Sequence, residues 1–316
     1  MRGARRNFLN GLKELGLLRN VDRASAHLDA RRLIVQLSEA ADLLPSSLTI
    51  HGVENTKETA LGGNFGDIFT ASHRGQAVAV KRLRFFQAEG DESLEVHKKF
   101  CREALIWKNL EHDNILPFLG VDSETFPGFL CMVSIWMDKG SLASKSGAPS
   151  EGAIPTLIYE IAVGIQYLHS QNIVHGDIRG TNILLDDQGH ARLADFGLAV
   201  FADGPLAPTK RGGSLRWMAP ELLNPESCGL DIFQRTFASD IYAFGCVCLE
   251  LYTGKPPFAD APSDVAVLLK VLKRDRPELP HTMPAWCTQL IPKCWSHFPL
   301  SRPGTGTVIE FIVKAV

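Results

Sequence analysis

The spacing of hydrophobic and polar residues changes several times along the chain, and each change predicts an element. Between residues 8 and 44 apolar residues recur at helical intervals: Leu12 and Leu15, then Leu28, Leu33, Ile34, Leu37, Ala41 and Leu44. Gly16, Asn20 and Asp22 interrupt the pattern and Pro45 ends it, so it predicts two helices. Amphipathic stripes usually mark ordinary burial, which makes this stretch a helical cap on the next domain; a regulatory or docking extension is the alternative. From Leu48 the pattern turns strand-like, and Gln76 to Leu83 predicts a strand. Glu92 to Leu110 predicts a helix. Gly128 to Trp136 is apolar and strand-like, and Asp138-Lys139-Gly140-Ser141 closes it. Ile154 to Ser170 predicts another helix. Ile183-Leu184-Leu185, the turn Asp186-Asp187-Gln188-Gly189 and the alternation Ala191 to Ala194 then predict a β-hairpin.

That hairpin gathers candidate chemistry. Asn182 lies at its start and Asp195 at its end, on the same side, with Asp177 five residues before Asn182. Three oxygen-bearing side chains thus converge. Such hard ligands suit magnesium, which takes one or two carboxylates plus substrate phosphates. The remaining carboxylate, Asp177, could accept a proton from a hydroxyl. Upstream, Thr59 to Phe69 reads TALGGNFGDIF. Its glycines let the backbone approach phosphates closely, although a plain hairpin turn has the same look.

These segments, in this order, resemble eukaryotic protein kinases. His175-Gly176-Asp177-Ile178-Arg179-Gly180-Thr181-Asn182 is similar to the catalytic loop of that family and Asp195-Phe196-Gly197 to its metal-binding triplet. The resemblance implies a two-lobed α+β kinase fold: a small β-rich N-lobe with one helix, and a larger, mainly helical C-lobe. It divides the chain into a helical extension (1–45), the N-lobe and hinge (46–138) and the C-lobe (139–316). The cofactors implied are ATP and Mg2+, and the partner a protein substrate, with room for regulatory contacts through residues 1–45.

By the same resemblance, Asn182 and Asp195 hold the metal and Asp177 orients the acceptor. Lys81, in Val78-Ala79-Val80-Lys81, holds the phosphates and pairs with Glu103. Glu92 and Glu95 compete for that role, but the spacing from Glu103 to His112-Asp113-Asn114 favours Glu103. Trp107 is expected to stack toward Phe196. Leu61, Gly62, Gly63, Phe65, Gly66, Ile68, Ala79, Ser134, Ile135, Met137 and Leu184 line the nucleotide site. Ser134 takes the position that gates its rear pocket, and Leu61 stands where the family has its first glycine. His175 is expected to be structural. Arg179 stands where serine/threonine kinases usually carry lysine, and either cation could steady the transferring phosphoryl. Gly176 replaces an arginine that in many kinases receives a phosphorylated activation loop. Activity is therefore expected not to require phosphorylation at Thr209 or Ser214.

Further along, Gly213 to Glu221 resembles the substrate-facing segment, Ser239 to Gly245 the central C-lobe helix, and Cys294-Trp295 with Arg302-Pro303 the last landmark. Asp240 is expected to bond the catalytic-loop backbone and Arg302 to pair with Glu221. Ser214 favours serine/threonine substrates. The resemblance is to the tyrosine-kinase-like (TKL) group, and the HGD wording to its fungal-type members. The alternatives are a nucleotide-binding pseudokinase or scaffold, supported by Leu61 and Gly176, and a dual-specificity or tyrosine kinase.

Composition changes this picture little. The 316 residues suffice for a sizeable core, and a net charge of −2 gives no argument for nucleic acid or a membrane surface. No run of eighteen apolar residues suggests a membrane span. Seven scattered cysteines, an odd number, point to reduced thiols and a cytosolic or nuclear setting, of which the cytoplasmic one is expected. The Arg-rich start, MRGARRNFL, fits a transit peptide or any basic helix start; no secretory signal core follows it.

Overall fold

Alternation along one strand sets the two faces of the N-terminal sheet. In the computed structural model, which describes residues 23–41, 43–55, 61–62, 66–83, 91–144, 149–202 and 214–316, β4 (Gln76–Leu83) turns Val78 and Val80 to one side, fully buried. Ala79 and Lys81 must then face the other side. The antiparallel order is β1 (Val53–Asn55), β3 (Gly66–His73), β4, β6 (Cys131–Ile135) and β5 (Phe118–Asp122), with β2 (Leu61–Gly62) also on β3. One face carries a small core of Phe69, Ala71, Val78, Val80, Cys131 and Val133. The other packs on helix α2 (Asp91–Lys108) and merges, through Met132, with the main core.

Below the sheet, α3 (Ile154–Ser170) precedes a short strand, β7 (Ile173–Val174), and the expected hairpin, β8 (Ile183–Leu185) with β9 (Ala191–Leu193). β10 (Val200–Phe201) pairs with β7. The central α5 (Phe237–Thr253) is buried along nearly its whole length. A capping box between Thr236 and Ser239 starts it, and Gly254, at φ 61°, ends it. Around it stand α4 (Pro220–Leu223), α6 (Asp264–Leu272), α7 (Ala285–Cys294) and α8 (Thr305–Ala315). This is the expected α+β arrangement, a β-sheet lobe above a helical lobe. All seven cysteines are free and buried, including Cys246 and Cys248.

Two expectations are refined. The strand-like stretch from Leu48 begins with a 3-10 turn, Ser46–Leu48, in which the Pro45 carbonyl accepts the Leu48 N–H; strand starts only at Val53. Of the two N-terminal helices, one, α1 (Arg23–Ala41), is described; Leu12 and Leu15 lie outside the described residues. α1 lies on α2, where the Glu39 carboxylate accepts from Arg102 Nε at 2.5 Å. Its other contacts reach the lower lobe: Arg31 donates to Gln171 Oε1 at 2.7 Å, and the Arg32 guanidinium lies 5.7 Å from the Phe201 ring centre.

Candidate functional site

Sheet register places the roof of the cleft. Ile68 is opposite Lys81 on β3, Lys81 opposite Met132 on β6, and Ala79 opposite Ser134. Facing residues in a ladder share a face, so Ile68, Ala79, Lys81 and Ser134 line one surface. Ser134 is buried, with Phe118 across from it on β5. The chain leaves the sheet through Ile135, Trp136 and Met137; Trp136 N–H donates to Ala77 and Gly140 N–H to Met137. Gly140 and Leu142 then bond to β8, which turns Ile183 and Leu185 into the core and leaves Leu184 half-buried on the opposite face. Leu61 and Gly62 form a strand with Asp67 and Ile68. Gly63, Phe65 and Thr209 lie outside the described residues.

At the centre Lys81 Nζ donates to Glu103 Oε1 and Asp195 Oδ1, each at 2.8 Å. Burial would lower the Lys81 pKa, but the two carboxylates outweigh it and raise it. Asp195 moves the other way: burial pushes it up, and Lys81, with His175 and Arg179 beyond, pulls it below the usual carboxylate range. Asp195 has φ 64°, a strained value for a residue with a side chain, and Gly197 follows because a Cβ there would lie 3.1 Å from Glu103 Oε2. Between them Phe196 is buried against Trp107 at 5.7 Å and His175 at 5.2 Å, and Trp107 continues the stack to Phe118 at 5.0 Å. A hydrogen bond from Trp107 Nε1 to Leu116 O, 2.6 Å, fixes the bulky indole. His175 is structural, as expected: its ring bonds Ala194 O and the Asp177 N–H.

Asp177 sits on the loop below. Asn182 Nδ2 donates to its carbonyl and to its Oδ2, both at 2.9 Å; Arg179 Nε reaches the same Oδ2 at 3.2 Å. Ser214 N–H approaches Oδ1 at 3.4 Å. With its Nδ2 so engaged, Asn182 turns its Oδ1 away from Asp177. The loop hangs from the start of α5, where the buried Asp240 accepts from the N–H groups of His175 and Gly176 at 2.9 Å each. The structure thus brings Lys81, Glu103, Asp177, Arg179, Asn182 and Asp195 to one site.

Two participants escaped sequence reasoning. Glu250 accepts from Gly180 N–H and Trp217 Nε1, both at 3.0 Å, tying the loop to the segment after Ser214. Burial raises its pKa against those bonds. Its only signal was an acid near the end of a helix that is apolar from Ile241 to Leu249 apart from Tyr242 and Gly245. Arg235, 3% exposed, donates from Nε to Gly176 O at 3.3 Å; no local pattern marks it. At the base of the lobe, Arg302 and Glu221 form the expected buried pair, doubly bonded at 2.6 and 2.7 Å.

Comparison with known proteins agrees with this geometry. Residues 55–312 match the family described as protein tyrosine and serine/threonine kinase. Mitogen-activated protein kinase kinase kinase 5 of Arabidopsis thaliana is 32% identical over 254 residues, 78% of this chain and 35% of that protein. Serine/threonine-protein kinase CTR1 of the same plant is 33% identical over 267 residues, 82% of this chain and 31% of its own. Dual specificity protein kinase zakA of Dictyostelium discoideum is 32% identical over 280 residues, 80% of this chain and 34% of its own. The matched region therefore spans about a third of these relatives' length. With the match running through both lobes and through every loop of the site, the chain belongs to the protein tyrosine and serine/threonine kinase family.

Proposed function

We propose that this chain transfers the γ-phosphoryl group of ATP to serine or threonine hydroxyls of protein substrates, in a signalling role. The observation that carries this is Lys81 bonded at once to Glu103 and Asp195, above an Asp177 held by Asn182. Phosphoryl transfer needs positioning and charge neutralisation more than covalent help from the protein. Lys81, ordered by Glu103, is the cation for the phosphates. The roof residues Leu61, Gly62, Gly66, Ile68 and Ala79 cover the nucleotide, with Ile135 and Met137 at the adenine edge and Leu184 beneath; Gly63 and Phe65, outside the described residues, belong to the same proposed nucleotide site. Asp177 takes the acceptor proton, and Arg179 beside it balances charge.

Asn182 and Asp195 suit a magnesium ion: one amide oxygen, which among the described residues accepts only from Thr181 Oγ1 at 3.3 Å, and one carboxylate, with phosphates completing the set. The ion supplies charge neutralisation on the phosphates when bound. Ser214, within reach of Asp177, supports serine/threonine substrates; the printed name of zakA keeps tyrosine as a second acceptor to test. Segment boundaries at 45 and 138, membership of the TKL group with the fungal-type HGD loop, and a cytoplasmic setting complete the reading. The seven free, buried cysteines support that setting; among the described residues no helix is long and apolar enough to cross a membrane. Regulatory contacts through residues 1–45 are supported by the Glu39 to Arg102 bond, one residue from Glu103.

The test incubates the chain with magnesium and labelled ATP, with and without a generic protein substrate, beside Asp177→Asn. Incorporation lost in the variant supports the reading, and phosphoamino-acid analysis identifies the acceptor. A wild type that gains melting temperature with nucleotide but incorporates nothing is a nucleotide-binding pseudokinase.

A further inference from the structure

Position 176 has no room for a side chain. Gly176 has φ 80°, and a Cβ there would lie 2.5 Å from Arg235 Cδ, 3.0 Å from Arg235 Nε and 2.8 Å from the Leu198 carbonyl. The loop residue next to Asp177 is therefore a glycine because an arginine from outside the loop already fills its space. That arginine enters just before α5, packs its guanidinium 5.2 Å from the Phe233 ring centre, and donates from Nε to the Gly176 carbonyl. The N–H of the same Gly176 is held by Asp240. Both polar groups of Gly176 are thus bound by residues 235 and 240, with Asp177 one bond further on.

We propose that Arg235 is a positioning residue for Asp177, supplying from the far side of the loop the cation and the anchoring bond that position 176 does not carry. The surrounding charge fits this role. Burial works against the charged guanidinium, while the carboxylates of Asp177 and Asp240 favour it. A buried cation then sits beside two buried acids, and although Arg179 also reaches Asp177 and His169 also bonds Asp240, removing Arg235 takes away part of what compensates them. The effect on catalysis passes through geometry: Asp177 must meet the acceptor hydroxyl, and a misplacement of about 1 Å costs on the order of a hundredfold.

This inference rests on the phosphotransferase reading, and two measurements on the full chain separate them. Hydrogen exchange of the amides from His175 to Asn182 reports loop order without any turnover. Steady-state kinetics with magnesium, ATP and a protein substrate reports function. Arg235→Met is expected to speed exchange over residues 175–182 and to lower kcat by roughly tenfold to a hundredfold, with KM for ATP within about twofold of wild type. Arg235→Lys, which keeps the charge, is expected to recover at least half of that loss on a logarithmic scale. If Arg235→Met does not fold, Arg235→Gln replaces it with the same expectations. Unchanged exchange, unchanged kcat, or a lysine variant no better than methionine overturns the proposal. A wild type with no phosphoryl transfer ends the phosphotransferase reading instead, and exchange alone then decides whether Arg235 orders the loop.

Discussion

Lys81 and Glu103 are 22 residues apart in the chain, on different elements, and their side chains meet at 2.8 Å in a nearly water-free site. Lys81 also touches Asp195, so one cation joins the sheet, helix α2 and the loop beginning at Asp195. Lys81→Met is expected to lower kcat by about 10²–10³, the usual loss when one donor to developing charge is removed. Glu103→Gln keeps an acceptor and loses the charge, so its loss is smaller. Steady-state phosphorylation of a protein substrate measures both, and a Lys81→Met enzyme with wild-type kcat would sink this assignment.

The same cluster fixes a pH dependence. Asp195 in the folded chain binds its proton at lower pH than in the unfolded chain, where the pKa is about 3.9. As pH falls, the unfolded state takes up that proton first, so the contribution of Asp195 is complete above about pH 4 and fades below it. Lys81 has the opposite sign: its raised pKa adds stability below about pH 10.4, lost only as pH rises further. Urea midpoints measured from pH 7 to pH 3 are expected to fall more steeply for wild type than for Asp195→Asn. Parallel curves would mean that Asp195 titrates alike in both states.

Local pattern carried much of this fold. The span predicted for the helix at Ile154–Ser170 and for the strand at Gln76–Leu83 coincides with the structure, because period and punctuation agree at both ends. Lys81, Asp177, Asn182 and Asp195 stood out because they sit in short motifs at informative spacing. Glu250 and Arg235 did not, because each acts on the loop across 59 to 70 residues of sequence, and only the placement of α5 brings them there. The 3-10 turn at Ser46–Leu48 was hidden because one proline and two serines fit a strand end equally well.

Glu221 and Arg302 test the cost of an uncompensated buried charge. Both side chains are at most 1% exposed, and the pair is bidentate. Glu221→Gln leaves the guanidinium without its counter-charge, which commonly costs about 3–5 kcal/mol. Calorimetry is expected to show a melting temperature lower by roughly 10 °C. The double change Glu221→Gln/Arg302→Met is expected to cost less than the two single changes added, since neither then strands a partner. Additive losses would mean that the two residues do not act as a pair.

Ser134 lies across the ladder from Ala79 and Phe118, at the rear of the cleft roof. A phenylalanine there would extend further into the cleft than serine does. Nucleotide-competitive inhibitors with a bulky rear substituent are expected to bind wild type at least about tenfold more tightly than Ser134→Phe, a difference of about 1.4 kcal/mol. Compact inhibitors are expected to bind both alike. Equal affinity for the bulky compounds would place the rear pocket somewhere other than behind Ser134.

The last prediction concerns α1. Its bond from Glu39 to Arg102 is partly exposed, and pairs of that kind contribute about 0.2–1 kcal/mol. Val35, by contrast, is buried in the main core, and fully burying a valine side chain is worth about 1.5–3 kcal/mol. Apolar burial therefore contributes more than the ion pair to holding the helix in place. The two substitutions should separate these effects. Val35→Ala is expected to lower stability by more than Glu39→Ala does, in urea unfolding. Glu39→Arg places two cations together beside Glu103, and is expected to lower kcat more than its small loss of stability accounts for. An enzyme whose kcat ignores Glu39→Arg, while Val35→Ala destabilises as expected, would make α1 a cap on the surface of the Glu103 helix and no more.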